Sequence, residues 1–299
     1  MSRQDILDWT QSLPASAREW LDGRLVEEVE CIIADFAGIA RGKAMPARKF
    51  VTQDISFLPI SIFYQTITGE YADYETLASV TETDLVLTPD LKTAVAAPWA
   101  QDVTIQVIHD MEYQSGEPVA IAPRNVLKRI LAKYRARGWR PVIAPELEFY
   151  LTKPNIDPDI PLEPPVGRSG RQGAGRQSYS ISAIDEYAAV IDSIYDFAEA
   201  QGFEIDTIIQ EGGAGQIESC DIGWGNCDTN HTNGVPLKRP NKLFIFKRPI
   251  REAALKHNCY ATFMAKPMED EPGSAMHIHQ SVVSTKTGRN VFSAEDGEP

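Results

Sequence analysis

Two histidines, His277 and His279, have the spacing of a pair on one face of a strand. They lie in the segment Lys266–Val283, KPMEDEPGSAMHIHQSVV. Side chains alternate between the two faces of a strand, so the i,i+2 spacing places both imidazoles on one side with Ser281 and leaves Ile278 on the other. Neutral imidazole is a good ligand for divalent metals, and the pair follows a Gly-Ser turn typical of the rim of a site. A half-buried strand whose polar face meets water would show the same pattern.

Four glutamates upstream add carboxylates to this histidine pair. In WRPVIAPELEFYL, residues 139–151, apolar side chains occupy alternate positions, so Glu146 and Glu148 share the opposite face. Glu211 follows the strand-like run FEIDTIIQ, and Glu218 lies beyond the glycine-rich turn GGAGQI. Each glutamate taken alone is typical of a solvated surface position. Taken together with the histidines, they favour a common site.

The four carboxylates and the imidazole of His277 form an oxygen-rich ligand set. Carboxylates pressed together repel and raise each other's pKa values unless cations neutralise them. Such a set suits Mg²⁺ or Mn²⁺ better than Zn²⁺, and a pair of Mg²⁺ ions most often handles phosphate. The sequence therefore predicts two divalent metal ions in this site.

The elements that would position these residues repeat a helix-to-strand unit. The first helix begins at Pro123, has apolar residues at i, i+3, i+4 and i+7, and is closed by Gly138 before the strand with the glutamate pair. A second amphipathic helix starts at Tyr187, is closed by Gly202 and leads into the strand FEIDTIIQ. A third helix over Phe246–His257 and a strand over Cys259–Lys266 continue the pattern. These units predict a sheet lined with carboxylates and imidazoles.

The region before Pro118 has a different pattern of short strands. Val29–Ile33 alternates in polarity and runs into DFAGIARGK, so the two predict a hairpin turning around Gly38 and Gly42. Further strand-like runs are 55–66, 84–88 and 103–109. We expect two domains, a β-rich one over residues 1–117 and a catalytic one over residues 118–299.

Two stretches show neither the helix nor the strand period. Residues 153–176, KPNIDPDIPLEPPVGRSGRQGAGR, are rich in proline and glycine, and such a long loop is usually functional or disordered, with disorder the favoured interpretation here. Residues 219–241 are polar and turn-prone, and their pattern assigns them no element.

Composition excludes several classes of protein. The chain of 299 residues has 43% hydrophobic residues, enough to fill a core, and a net charge of −13, which argues against a nucleic-acid partner. No apolar run approaches the roughly 20 residues of a membrane span, and the polar start MSRQDILDWT does not fit a signal peptide. We therefore expect a cytoplasmic protein with free thiols at its four cysteines, which form no CxxC motif.

Four sequence blocks resemble the glutamine synthetase superfamily, and within it the glutamate–amine ligase branch of γ-glutamylpolyamine synthetase-like enzymes. They are PELEFYL, EGGAGQIE, FKRPIREAALKH and KPMEDEPGSAMHIHQS. The resemblance extends from DFAGIARGK through the second region. It implies an α+β fold, with a small N-terminal β-grasp-like domain and a larger catalytic domain in which helices flank a mainly antiparallel sheet.

The resemblance also implies a reaction and a set of roles. In this family ATP phosphorylates the γ-carboxylate of glutamate, and an amine or ammonia then displaces phosphate. The residues that match ligands of the first metal ion are Glu148, Glu211 and Glu218, and those that match ligands of the second are Glu146 and His277. Gly273 matches the backbone position that meets glutamate, while His279 and Ser281 match positions that hold ATP.

Assembly and amine recognition are also implied by the resemblance. Family members form ring-shaped homo-oligomers in which the N-terminal domain of one subunit closes the active site of its neighbour. The segment GEYADYE lies in that region, and Glu70 and Asp73 are candidate contacts for an amine, although a solvated acidic loop would have the same composition. Family members continue for roughly another third of their length beyond SAEDGEP, by domain size, so we expect the catalytic domain to be incomplete at its C-terminus.

Three alternatives remain open from the sequence. A glutamine synthetase that uses ammonia shares most of the motifs, although Pro272 stands where ammonia-using relatives carry asparagine. An inactive assembly protein with the same fold is a second alternative. A metal-dependent amidohydrolase also uses an HxH pair, but His109, His231 and His257 lie in no comparable strand-end motif.

Overall fold

The computed structural model describes residues 3–53, 55–72, 83–222 and 238–293, with the backbone alone for 220–222 and 238–240. Contacts divide the chain into two compact units, Met1–Arg137 and Gly138–Pro299. Both combine helices with sheets, so the fold belongs to the α+β class. The domain limits 1–117 and 118–299 and the β-grasp character of the first domain stay predictions.

The first unit is built on a mixed sheet. Its elements in chain order are α1 (Arg3–Thr10), α2 (Ala15–Leu21), β1 (Glu28–Ala34), β2 (Ala40–Pro46), α3 (Ala47–Thr52), β3 (Ser56–Pro59), β4 (Asp84–Pro89), β5 (Val95–Ala96), β6 (Thr104–Glu112) and α4 (Pro123–Ala136), with short 3-10 helices at Ile60–Tyr64 and Leu91–Thr93. Among the described residues the strands follow the order β2-β1-β6-β4-β3, with β5 also paired to β6. The β1–β6 pair is parallel and the other pairs are antiparallel.

The predicted hairpin is confirmed as β1 and β2, which close at the pair Ala34 and Ala40 around Gly38, but Gly42 lies within β2 opposite Ile32 and not in the turn. Asp35 fixes its turn because its carboxylate accepts hydrogen bonds from the backbone N–H groups of Ala37 and Ile39, at 2.9 and 2.8 Å, and from Arg41 Nε at 2.9 Å. A buried carboxylate with three donors is well satisfied. The turn is therefore held by its own first side chain.

Other expectations for the first unit need correction. The run 55–66 is a strand only over Ser56–Pro59 and then a 3-10 helix over Ile60–Tyr64. The helices α1 and α2 were not predicted from the sequence. Their apolar faces, with Ile6 and Leu21, pack into one cluster with strand residues such as Val29.

The second unit contains the candidate site. Its elements are β7 (Trp139–Thr152), α5 (Ile181–Asp185), α6 (Ala188–Ala200), β8 (Ile205–Gln210), β9 (Gln216–Ile222), α7 (Lys238–Lys256), β10 (Tyr260–Thr262) and β11 (Ile278–Ser284). Within the part that is described, the strand order is β10-β7-β9-β8, and β11 pairs with the first half of β7. Every one of these pairings is antiparallel, as predicted.

Strand β7 is the shared partner of this sheet. It pairs with β11 over its first half, with β9 over Glu146–Tyr150 and with β10 at its end. The predicted alternation is confirmed, since Leu147, Phe149 and Leu151 are buried in the core. Glu146 and Glu148 therefore lie on the opposite face of the sheet.

The predicted ends of the first two helices are confirmed, whereas the start of the third helix and the end of the strand after it were predicted wrongly. Gly138 and Gly202 follow the C-caps of α4 and α6 in the left-handed conformation that glycine adopts readily. Helix α7 begins at Lys238 rather than Phe246. The strand predicted over Cys259–Lys266 stops at Thr262, because the Met264 N–H donates to the Thr262 hydroxyl at 3.2 Å and forms a turn there.

The proline- and glycine-rich stretch 153–176 is folded, contrary to the expected disorder. The Arg176 N–H donates to Gly212 O at 2.7 Å, and nearby the Tyr179 N–H donates to Gln210 O at 2.8 Å. Earlier in the stretch, the Arg168 N–H donates to Glu186 O at 3.0 Å. Of the irregular stretch 219–241, residues 223–237 lie outside the described part.

The described helices include none that is both long and apolar enough to cross a membrane.

The buried histidine of β6 should make the first unit sensitive to acid. His109 is 3% exposed, and burial lowers its pKa from 6.5 to about 4. Because the pKa in the folded chain lies below that in the unfolded chain, protonation favours the unfolded chain. The free energy of unfolding is therefore at its full value above about pH 6.5 and decreases as the pH falls towards 4. Between pH 7.5 and 5, wild type should lose about 2 kcal/mol more unfolding free energy than His109→Gln, at about 1.4 kcal/mol per pKa unit. Denaturant titrations at both pH values measure the difference, and equal losses would contradict the prediction.

Candidate metal centre

The central feature of the site is a pair of carboxylates directly opposite each other on β7 and β9. Glu148 is in register with Glu218, and each residue is only 7% exposed. Opposed residues on an antiparallel pair have Cβ atoms about 4.5–5.5 Å apart, and like charges in this position are destabilising. Burial increases the repulsion because solvent screens it less. This arrangement favours a cation between the strands.

A third carboxylate and an imidazole complete a group with the geometry of a metal site. One ligand atom each from Glu146, Glu218 and His277 lie within 4.8 Å of one another. Glu146 shares a face with Glu148 because they are two residues apart on β7. Glu218 therefore belongs to both sets, since it stands opposite Glu148 and close to Glu146 and His277.

The i,i+2 spacing predicted that both histidines share one face, and in the structure both reach the carboxylate of Glu146. His277 Nδ1 lies 3.0 Å from Glu146 Oε2, and His279 Nε2 lies 2.7 Å from Glu146 Oε1. His277 directly precedes β11, and its carbonyl oxygen accepts a hydrogen bond of 2.9 Å from the Glu146 N–H. The Glu146 oxygens and the His277 ring nitrogen are atom types that bind divalent cations.

Glu211 shows the electrostatic consequence of this crowding. It follows the last residue of β8, and its N–H donates to Gln216 O at 2.9 Å. Burial raises the pKa of Glu211 above its usual value, and the charges of Glu218, Glu148 and Glu146 raise it further. The carboxylates thus act on one another as a single cluster, as the sequence predicted.

The donor set fits one or more hard divalent cations. Four carboxylates and an imidazole are the ligand types that suit Mg²⁺ and Mn²⁺. The mutual repulsion of these carboxylates would be relieved by a cation. The division of the ligands between two ions, with Glu148, Glu211 and Glu218 on one and Glu146 and His277 on the other, stays a prediction.

Sequence reasoning missed a hydrogen-bond network that supports Glu148. Gln216 Nε2 donates to Glu148 Oε2 at 2.9 Å and to Gly273 O at 3.2 Å, while Gln216 Oε1 accepts from the Gly213 N–H at 2.9 Å. The Tyr150 hydroxyl donates to Pro272 O at 2.6 Å and lies 3.1 Å from Gln216 Oε1. Tyr150 follows Glu148 by two positions on β7, and this spacing could have predicted that both side chains lie on the same face of the sheet.

The glycines of the GGAGQI turn are explained by close approach. A Cβ on Gly213 would lie 2.0 Å from the Tyr150 hydroxyl oxygen. Gly215 has φ of +77°, and a Cβ there would lie 2.7 Å from Leu151 O. The turn between Glu211 and Glu218 can therefore rest directly on β7 only because these positions lack side chains.

The remaining predicted site residues have different surroundings. The Gly273 carbonyl accepts a hydrogen bond from Gln216. Ser281 lies on β11 and pairs with Val142 of β7. Glu70 lies in the first unit, where its carbonyl oxygen accepts from the Thr66 N–H at 2.7 Å. Asp73 lies outside the described residues.

Residues 120–299 match the family described as glutamine synthetase, catalytic domain. Among curated proteins, the chain is 32% identical over 274 residues to gamma-glutamylputrescine synthetase of Escherichia coli (strain K12), covering 90% of this chain and 56% of that relative. It is 27% identical over 285 residues to glutamate–isopropylamine ligase of a Pseudomonas species, covering 92% and 58%. It is 28% identical over 269 residues to glutamine synthetase of Pyrococcus abyssi (strain GE5 / Orsay), covering 90% and 54%. The chain thus spans about half the length of the curated relatives it matches.

Solved structures show the same fold. Apo GmaS without ligand matches with a TM-score of 0.70 at 22% identity, over 96% of this chain and 61% of that one. A novel glutamine synthase homologue matches with a TM-score of 0.73 at 20% identity, over 92% and 59%. The family match covers more than half of the chain and includes all five predicted metal ligands. The chain belongs to the glutamine synthetase family.

Proposed function

We propose that the protein carrying this chain is an ATP-dependent ligase that joins the γ-carboxylate of glutamate to an organic amine through γ-glutamyl phosphate. The observation that carries the proposal is the cluster of Glu146, Glu218 and His277 next to the opposed Glu148, within a chain of the glutamine synthetase family. Phosphoryl transfer needs positioning and charge neutralisation more than covalent chemistry. A ring of fixed ligands provides both.

The residues of this chain divide into three roles in the proposed reaction. The cluster carboxylates and His277 would hold Mg²⁺ or Mn²⁺, and the cations, once bound, would neutralise phosphate charge and orient glutamate and ATP. Gly273 is proposed to meet glutamate through its backbone. His279 and Ser281 are proposed to contact ATP, and His279 is already oriented by Glu146 at 2.7 Å.

An organic amine is the proposed nucleophile for two reasons. The relatives named above include gamma-glutamylputrescine synthetase at 32% identity and glutamate–isopropylamine ligase at 27%. In addition, the EPGSAMHIHQS block carries Pro272 where ammonia-using relatives carry asparagine. Glu70 and Asp73 are proposed to attract the amine cation. Glutamine synthetase activity with ammonia is the second candidate, since Pyrococcus glutamine synthetases are 27–28% identical to the chain.

Removal of one buried carboxylate should weaken metal binding. Glu148→Gln keeps the shape of the side chain but removes a charged ligand, so the affinity for Mn²⁺ should fall at least about tenfold. Titration calorimetry on the wild-type chain and the variant measures this change.

The matched control for this experiment is Glu199→Gln, the same substitution on an exposed position of α6. It should bind Mn²⁺ as wild type does. Thermal denaturation in EDTA establishes that both variants fold. Equal Mn²⁺ affinity in wild type and Glu148→Gln would refute the metal assignment.

The nucleophile can be identified by comparing amines with ammonium. Phosphate release would be measured with ATP and glutamate, together with ammonium, alkyl monoamines or diamines, using the protein that carries this chain at its natural length. We expect kcat/KM for at least one amine to exceed that for ammonium by about tenfold or more, because each buried methylene contributes about 0.8 kcal/mol.

The comparison of amines with ammonium has two other possible outcomes that would identify a different function. A kcat/KM for ammonium above that of every amine would favour glutamine synthetase proper. No phosphate release with any nucleophile, from a protein that binds Mn²⁺, would favour an inactive assembly protein.

A ring-shaped homo-oligomer is the proposed assembly, with the β-grasp-like N-terminal domain of each subunit closing the site of its neighbour. Light scattering on the natural-length protein should give a mass of many subunits. A monomer would contradict the proposal.

A further inference from the structure

A short segment, Pro272–Ala275, is held against the metal centre by hydrogen bonds at each residue. Pro272 O accepts from the Tyr150 hydroxyl at 2.6 Å, and Gly273 O accepts from Gln216 Nε2 at 3.2 Å. The Ser274 N–H donates to Ala265 O at 2.7 Å, and the Ala275 N–H donates to Glu148 Oε2 at 3.0 Å. The segment and the carboxylate of Glu148 therefore belong to one hydrogen-bond network.

Tyr150 belongs to β7, the strand that also carries Glu146 and Glu148. Its ring is fully buried, and the backbone of Gly213 packs so closely that a Cβ there would overlap the hydroxyl. The position of the hydroxyl is thus fixed by the β7 backbone that carries the ring and by close contact with the Gly213 backbone. A rigid donor on a strand defines the position of its acceptor better than a donor on a loop.

We infer that Tyr150 is a positioning residue that sets the Pro272–Ala275 segment relative to Glu148 and so holds the backbone of Gly273 where glutamate is to bind. The inference rests on the proposed function, because the contact of Gly273 with glutamate belongs to that proposal. Tyr150 itself touches neither substrate nor metal in this role. It acts through the carbonyl of Pro272, which accepts its single hydroxyl proton.

The first test measures amide hydrogen exchange and needs no catalytic activity. Tyr150→Phe removes one hydroxyl and leaves the ring. Exchange should become about tenfold faster in a peptide covering Pro272–Ala275, since a hydrogen bond of about 1.4 kcal/mol is lost. Exchange in helix α6 should stay at the wild-type rate, whereas general destabilisation would raise exchange in both regions.

Tyr187→Phe is the matched control. Tyr187 is also buried in the second unit of the chain, but its hydroxyl has no hydrogen-bond partner within the described residues. Its loss should leave exchange in Pro272–Ala275 unchanged. Gln216→Met provides a second variant that removes the other side-chain donor to the segment, and it should raise exchange there in the same way.

The second test is kinetic and uses the natural-length protein. Tyr150→Phe should raise KM for glutamate about tenfold while kcat changes less than about threefold, because glutamate binding depends on the segment. Tyr187→Phe should leave both constants unchanged. If wild type releases no phosphate with any nucleophile, the proposed ligase function fails, and the exchange experiment still decides the role of Tyr150. Wild-type exchange of the segment in Tyr150→Phe, or a fall in kcat with KM unchanged, would overturn the inference.

Discussion

The candidate site of the second unit depends on hydrophobic packing that holds mutually repelling carboxylates together. Glu148 and Glu218 oppose each other on a ladder that also joins Leu147 to Ser219 and Phe149 to Ile217. The apolar members of that ladder are buried, so the sheet cannot shift its register to separate the charges without exposing its core. Hydrophobic packing on one face therefore holds an unfavourable charge cluster on the other. Functional sites are commonly assembled in this way, with stability supplied elsewhere in the fold.

The two faces of β7 divide the work of the unit. One face contributes Glu146, Glu148 and Tyr150, and the other contributes the core side chains Leu147, Phe149 and Leu151. Because Glu146 and Glu148 project from a strand paired on both edges, their spacing is fixed by the backbone rather than by loop conformation. The turn Gly212–Gly215 and the Pro272–Ala275 segment are then placed against that strand by close contact and hydrogen bonds.

Local signals in the sequence predicted the elements well, whereas their mutual placement depended on long-range pairing. The alternation around Glu146 and Glu148 and the helix-closing glycines Gly138 and Gly202 are short-range patterns with a direct backbone cause. The approach of Glu218 to both Glu146 and His277 depends on the β7–β9 register and on β11, which join residues far apart in the chain. The support given to Glu148 by Gln216 was hidden for the same reason.

Composition was a poorer guide than pairing for the irregular stretches. The abundance of proline and glycine in residues 153–176 favoured disorder, yet backbone hydrogen bonds to Gln210, Gly212 and Glu186 give the stretch and its continuation a defined course. Proline reduces the entropy that such a loop loses on folding, and glycine permits its close turns. The bonds are made to groups that no local pattern reveals. A loop of this composition is therefore ordered when nearby strand and helix ends offer backbone hydrogen-bond partners.

Charge in the metal centre explains attraction for cations and leaves selectivity to other side chains. Ammonium and an alkylammonium carry the same charge, so carboxylates attract both with similar strength. The described ligands are oxygen and nitrogen atoms of glutamate and histidine, and amine ligases and glutamine synthetases have similar identities to this chain. A methylene placed against an apolar wall contributes about 1–3 kcal/mol to discrimination, which is enough to separate the two nucleophiles. In the proposed ligase, selectivity for an organic amine would therefore have to come from contacts with its carbon chain, and the charge of the carboxylate cluster would not provide it.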